Sequence, residues 1–142
     1  PWTAGGSAAI RLARPDDAAL KAKVAAVLAE VAADPAAGID RVLDSAAIAA
    51  AGGSADAAFW VNCQPGWLMG GKLDGVQGEP TTTKGVHGYF PDAPAMRASL
   101  IANGPGIAAG RDLGVIDMRA IAPAVAARLG VTLQDAEKPA AF

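Results

Sequence analysis

Between Pro15 and Pro35 the apolar residues Leu20, Val24, Val27, Leu28 and Val31 recur at helical spacing, and this stripe constrains the fold more than any other feature of the chain. It predicts one amphipathic helix that has to bury a face against another element. Proline suits the first turn, and Asp16 and Asp17 suit the positive end of the helix dipole. The helix is expected to stop near Asp34-Pro35, because the residue before a proline resists the helical region. Lys21, Lys23 and Glu30 keep its other side wet.

What the helix packs on is read from its flanks. Ser7 to Ala13 reads as a short strand, with Ile10 and Leu12 on one face. Gly38 to Ala51 reads as a strand or turn around Ile39–Leu43, followed by a short helix that ends at Gly52-Gly53. Ala57 to Cys63 carries aromatic and β-branched residues and predicts another strand. Asp92 to Asn103 predicts a helix with Ala93, Met96, Leu100 and Ile101 on its buried side, closed by Gly104-Pro105-Gly106. Leu113 to Met118 is a further apolar segment. Arg119 to Leu129 predicts a last helix with a stripe of Ile121, Val125 and Leu129, tolerating Pro123 in its first turns. The tail from Thr132 to Phe142 has no periodicity and is expected to fray. Alternating strands and helices give an α/β chain, a small mixed sheet packed by helices. So few strands suit one edge of a larger sheet.

The 142 residues suit a single domain or fragment, 1–142. From Gln64 to Gly88 the pattern dissolves into a glycine-rich loop holding Gly66, Gly70, Gly71, Gly75, Gly78 and Gly85; a loop of this length is functional or mobile. Twelve basic against 14 acidic side chains give a net charge of −2 with no basic patch, so no nucleic-acid polymer is expected as a partner. The apolar runs are too short and too interrupted to span a bilayer. A start at Pro1, without an initiator methionine, is expected of a cut inside a longer protein, with any targeting signal upstream.

The chemistry available is limited. A hydrolytic zinc site takes three or four ligands from Cys, His, Asp and Glu, and the chain has one histidine, His87, and one cysteine, Cys63. No HExxH, GxSxG elbow or phosphate-binding glycine loop is present. His87 stands in Lys84-Gly85-Val86-His87-Gly88-Tyr89, where glycines let the backbone approach closely and leave an imidazole free at a loop end. For a lone histidine the commoner fate is nonetheless a surface or packed position. Asp92 is a candidate to orient an imidazole nitrogen or, more commonly, to cap a helix at Ala93. Trp67 and Tyr89 are candidates to line a ligand cleft, Trp60 and Cys63 belong to a core, and Lys72 and Lys84 are expected to be solvated.

Gly85-Val86-His87-Gly88-Tyr89, with Pro91, Pro94, Met96 and Gly104-Pro105-Gly106, resembles the last motif of type I phosphodiesterases and nucleotide pyrophosphatases in the alkaline phosphatase superfamily. The segment Val115 to Pro123, leading to Leu129-Gly130, extends the likeness to about Val131, and Ala4-Gly5-Gly6-Ser7-Ala8 resembles the strand after the family's Asp-His metal motif. The resemblance implies the C-terminal portion of a large α/β sandwich. It implies two zinc ions and a threonine or serine nucleophile, with His87 completing one zinc site. The nucleophile and most metal ligands of the pattern are absent here, and Thr81, Thr82 and Thr83 do not replace them. The expectation is a phosphoric-ester hydrolase whose isolated C-terminal piece is inactive, with the rest of the hydrolase and a phosphate ester as partners. The alternative is a non-catalytic, partner-binding module derived from the same fold. In either case an unpaired sheet edge makes self-association an expected behaviour.

Overall fold

The computed structural model describes residues 2–72 and 78–140, so Gly75 and the centre of the glycine-rich loop, at 73–77, lie outside the described residues, as do Pro1 and the last two residues of the tail. The chain divides into two compact units, Pro1–Arg97 and Ala98–Phe142.

The first unit is a four-stranded sheet with helices, and its elements follow the local chemistry. Strand β1 (Trp2–Thr3) pairs with β2 (Ser7–Ile10). Helix α1 (Ala18–Ala33) starts where the Asp17 carboxylate accepts the Leu20 N–H at 2.8 Å. It stops at Asp34, which is extended before Pro35 and whose carboxylate accepts from Ala36 N–H at 2.8 Å, opening a 3-10 turn over Pro35–Ala37. Strand β3 (Ile39–Asp44) runs into α2 (Ser45–Ala50), with the Asp44 carboxylate accepting from Ala47 N–H at 2.8 Å. Gly53 N–H then reaches back to the Ile48 carbonyl at 2.8 Å and ends α2. Strand β4 (Phe59–Cys63) follows.

The strand order is β1-β2-β4-β3, antiparallel at every pairing. The expected sheet was mixed, and the difference has a topological cause. Strands β2 and β3, joined through α1, do run parallel to each other, as the alternation implies. Strand β4 inserts between them in the opposite sense, so no parallel pair ever touches.

Register assigns the two faces. Ser7, Ala9, Trp60, Asn62, Arg41 and Leu43 share one face, on which Ile48 and Ala57 complete a small core with Ala9, Leu43 and Trp60. Val42 and Phe59 point to the other face and border a shallow groove with Ala25, Leu28 and Ala32 of α1. The stripe of α1 therefore faces the sheet, yet none of its residues is fully buried and Val27 stays 50 % exposed.

Two predicted helical faces turn out differently. Of the helix expected over Asp92–Asn103, only a 3-10 turn at Pro94–Met96 forms, and Arg97 is already extended. Ile101 is 91 % exposed, and without a packed apolar face so short a segment does not hold a helix. The second unit contains a 3-10 turn at Met118–Ala120 that continues into α3 (Ile121–Arg128), with Pro123 in its first turn as expected. Its buried face is Pro123, Ala124 and Ala126, whereas Val125 and Leu129 of the predicted stripe are exposed. Leu113–Met118 forms no strand. The described part of the tail, to Ala140, is tied rather than frayed: Ala140 N–H donates to the Ala120 carbonyl at 3.1 Å, and Arg119 pairs with Glu137 at 2.9 Å. Arg119 also holds Asp117, pulling that carboxyl down to about 2. No helix among the described residues is long and apolar enough to cross a membrane.

Ile48 is the largest fully buried side chain among the described residues. Ile48→Ala is expected to lower unfolding free energy by about 2–5 kcal/mol, and Val27→Ala by less than about 0.5 kcal/mol, in urea titrations followed by circular dichroism. Equal losses at the two sites would contradict this placement of the core.

Candidate functional site

The segment Val86 to Phe90 does not hang from the domain as a free loop. Gly6 N–H donates to the His87 carbonyl at 2.8 Å, and Phe90 N–H donates to the Asn62 side-chain oxygen at 2.9 Å. Between these two anchors the chain lies against the β1–β2 turn so closely that side chains are excluded. A Cβ on Gly88, whose φ is +82°, would overlap the Ala4 carbonyl, and one on Gly6 would overlap the Tyr89 ring. The glycines flanking His87 were read as permitting close approach, and one of them, Gly88, is where that approach occurs.

His87 itself is exposed, and no side chain among the described residues hydrogen-bonds its imidazole. The backbone is fixed while the ring faces solvent. Among the described residues no three of His, Cys, Asp and Glu cluster in a way that could hold a metal ion. His87 thus offers one imidazole nitrogen, and a zinc site built on it needs its other ligands from elsewhere.

Beside this turn lies a cleft of about 520 Å³. The structure brings Trp67, Tyr89 and Asp92 together in its lining and leaves His87 outside it. Both aromatic residues also hold the loops together. The Tyr89 hydroxyl donates to the Trp67 carbonyl at 2.6 Å, and the Trp67 indole lies over Gly38, at the entry to β3, where a side chain would collide with it. Lys84 lines the cleft, and Lys72 pairs with Glu79 at 2.8 Å. Thr81, Thr82 and Thr83 are exposed; the Thr81 hydroxyl accepts from Thr83 N–H at 3.1 Å in a local turn.

Asp92 bonds to neither imidazole nor helix. Arg41 donates to its carboxylate, and the short 3-10 turn that follows is preceded by Ala93 without any side-chain cap. The Arg41 guanidinium also lies 5.0 Å from the centre of the Phe90 ring and 3.5 Å from Asp40. Its hydrogen bond holds the Asp92 carboxyl below the ordinary value of 3.8. Phe90 is buried, edge-on to Trp60 at 6.2 Å. Burial pushes the Cys63 thiol up, so the one cysteine stays protonated in the sheet.

Two polar residues of this cluster, Asn62 and Arg41, are not among the candidates that the sequence offers. Asn62 is buried in β4 and donates to Asp40 at 3.0 Å while accepting from Phe90 N–H. Arg41 meets Asp92 across 51 positions of sequence. Strand register brings Arg41 beside Asn62, and the turn after Phe90 brings Asp92 to Arg41; the polar Asn62 inside the apolar run Phe59–Cys63 was a mark of something to be satisfied. Compared with known proteins, the chain matches no family model, no curated protein and no solved structure.

Because Asp92 titrates lower in the folded chain than unfolded, its pair with Arg41 adds stability above about pH 4 and loses it as pH falls through the depressed folded value. Asp92→Asn is therefore expected to be less stable than the unaltered chain at pH 7, with the gap closing on acidification below about pH 4. Urea midpoints measured across that range check this, and a gap independent of pH would contradict the pairing.

Proposed function

We propose that this chain is the C-terminal part of a zinc-dependent phosphodiesterase or nucleotide-pyrophosphatase-like hydrolase, and that His87 supplies the last imidazole of a zinc site completed outside the chain. The observation that carries the reading is the state of His87: exposed, without a described side-chain partner, on a turn anchored by its own carbonyl to Gly6. A histidine left over on a surface has no need of such a seat. A ligand does, because every degree of freedom frozen before the metal arrives is one the metal does not have to freeze.

The residues fit zinc only as part of a larger set. One imidazole does not offset dehydration of the ion, so the isolated chain is expected to bind zinc weakly. When bound in the complete site, zinc supplies Lewis acidity toward a phosphoryl oxygen and activation of a hydroxyl nucleophile. This chain contributes the imidazole nitrogen and the backbone that holds it. Asp92 pairs with Arg41 through one carboxylate oxygen. Tyr89 and Trp67 are proposed near the substrate through the cleft they line, and the phosphate ester is the substrate class.

The exposed apolar side chains of the second unit, among them Ile101, Val115, Met118 and Leu129, favour a second reading as a non-catalytic module that covers a partner surface. Zinc separates the two. In the protein encoded by the uninterrupted gene, His87→Ala is expected to lower zinc content and phosphodiester turnover together, by more than the roughly 10- to 100-fold that losing an outer-shell group costs. Metal analysis and turnover on a chromogenic phosphodiester check this. Full zinc occupancy with normal turnover sinks His87 as a zinc ligand, whereas an unaltered protein with neither zinc nor turnover leaves the module.

A further inference from the structure

We infer that Tyr89 is a positioning residue for His87, fixing through two contacts the turn from which the imidazole projects. The first contact is its ring, which occupies the space over Gly6 that a side chain would otherwise fill. The second is its hydroxyl, which donates to the Trp67 carbonyl at 2.6 Å. Only the consequence for zinc rests on the hydrolase reading; the contacts themselves involve no metal.

The turn is tied to the sheet through a chain of contacts that starts at His87. His87 has one backbone bond of its own, from Gly6 N–H to its carbonyl. A single bond at the surface leaves a hinge, and the residues before it, from Thr81 to Gly85, are exposed. What removes the hinge is the residue two positions on. The Tyr89 ring presses on the same Gly6 whose N–H holds His87, so one glycine is gripped from both sides. The hydroxyl carries the restraint onward to Trp67, whose N–H donates to the Gln64 carbonyl at 3.0 Å and whose indole lies over Gly38. Gln64 in turn is fastened to the entry of β3, its N–H donating to the Gly38 carbonyl at 2.8 Å and its side-chain amide to the Ile39 carbonyl at 3.1 Å. Met69 N–H closes the circuit on the Gly5 carbonyl at 2.7 Å. Among the described residues the hydroxyl makes the one side-chain hydrogen bond between the His87 turn and the loop after β4, and phenylalanine would keep the ring but lose that bond.

The chain has one histidine and one tyrosine, so the consequences are read without ambiguity. Relaxation of the 15N-labelled chain is expected to give amide order parameters near about 0.85 for Val86 to Gly88, the value of rigid backbone, despite their glycine-rich setting. In Tyr89→Phe these are expected to fall below about 0.6 while Phe59 to Cys63 stay near 0.85. Gly6→Ala reads the same grip from the other side, by displacing the ring, and gives a second variant should the first fold poorly. Unchanged order at Val86 to Gly88 in both variants overturns the inference, as does loosening that spreads equally through β4, the mark of a residue that merely stabilises the fold. In the zinc-loaded parent protein, Tyr89→Phe is expected to weaken zinc binding on the order of 10-fold. A loosened turn with unaltered zinc affinity supports the positioning and contradicts the role of His87 as ligand; a rigid turn overturns the positioning whatever the zinc content.

Discussion

Both ends of the Asn62 side-chain amide are committed, and the architecture of the first unit turns on that commitment. Its NH2 group donates to Asp40 on the neighbouring strand, and its oxygen accepts the backbone N–H of Phe90. A buried amide with either end unmet costs free energy on the scale of a lost hydrogen bond, roughly 1–3 kcal/mol. Burying Asn62 in the central strand without that cost requires a donor for its oxygen, and the segment carrying Phe90 supplies it. That single requirement draws the chain after the glycine-rich loop back over β4. It seats Phe90 against Trp60 and under the Arg41 guanidinium, and it leaves His87, three residues earlier, at the sheet end beside Gly5 and Gly6.

The glycines then decide how close that segment can come. Gly88 lies against the Ala4 carbonyl and Gly6 against the Tyr89 ring, approaches that no β-carbon survives. Alanine is plentiful elsewhere, and the core it makes is thin: Ala9, Ala57 and Ile48, with Leu43 and Trp60 at its edge. A domain with so little apolar volume on this face depends on satisfied polar contacts and close backbone packing to select one arrangement. No buried side-chain polar atom among the described residues is without a partner, which is the condition such a design has to meet.

How much of this was legible in the sequence depended on whether the deciding contact was local. Helix α1 was readable because its stripe, its Asp17 cap and its Asp34-Pro35 stop lie within one stretch. The turn from β3 into α2 and the strand at Phe59–Cys63 were readable for the same reason. Insertion of β4 between β2 and β3 was not, since nothing local to β4 states which strands it joins. The helix expected across Asp92–Asn103 failed because periodicity predicts a face and not a surface to bury it on; Ile101 has none. At the candidate site, the exposure of His87 followed from its glycine neighbours. The Asp92–Arg41 pair was not legible because Arg41 lies in β3, 51 positions away, and no local pattern announces the bond between Tyr89 and Trp67.

The His87 segment docks against the β1–β2 turn and β4. Amide hydrogen exchange at Gly6 and Phe90 tests it most directly, because one N–H donates to the His87 carbonyl and the other to Asn62. Docking predicts that both amides exchange as slowly as those of Phe59 to Cys63 in the central strand, through the same cooperative opening. Exchange at Gly6 and Phe90 at the rate of an unprotected loop, with β4 still protected, would contradict it.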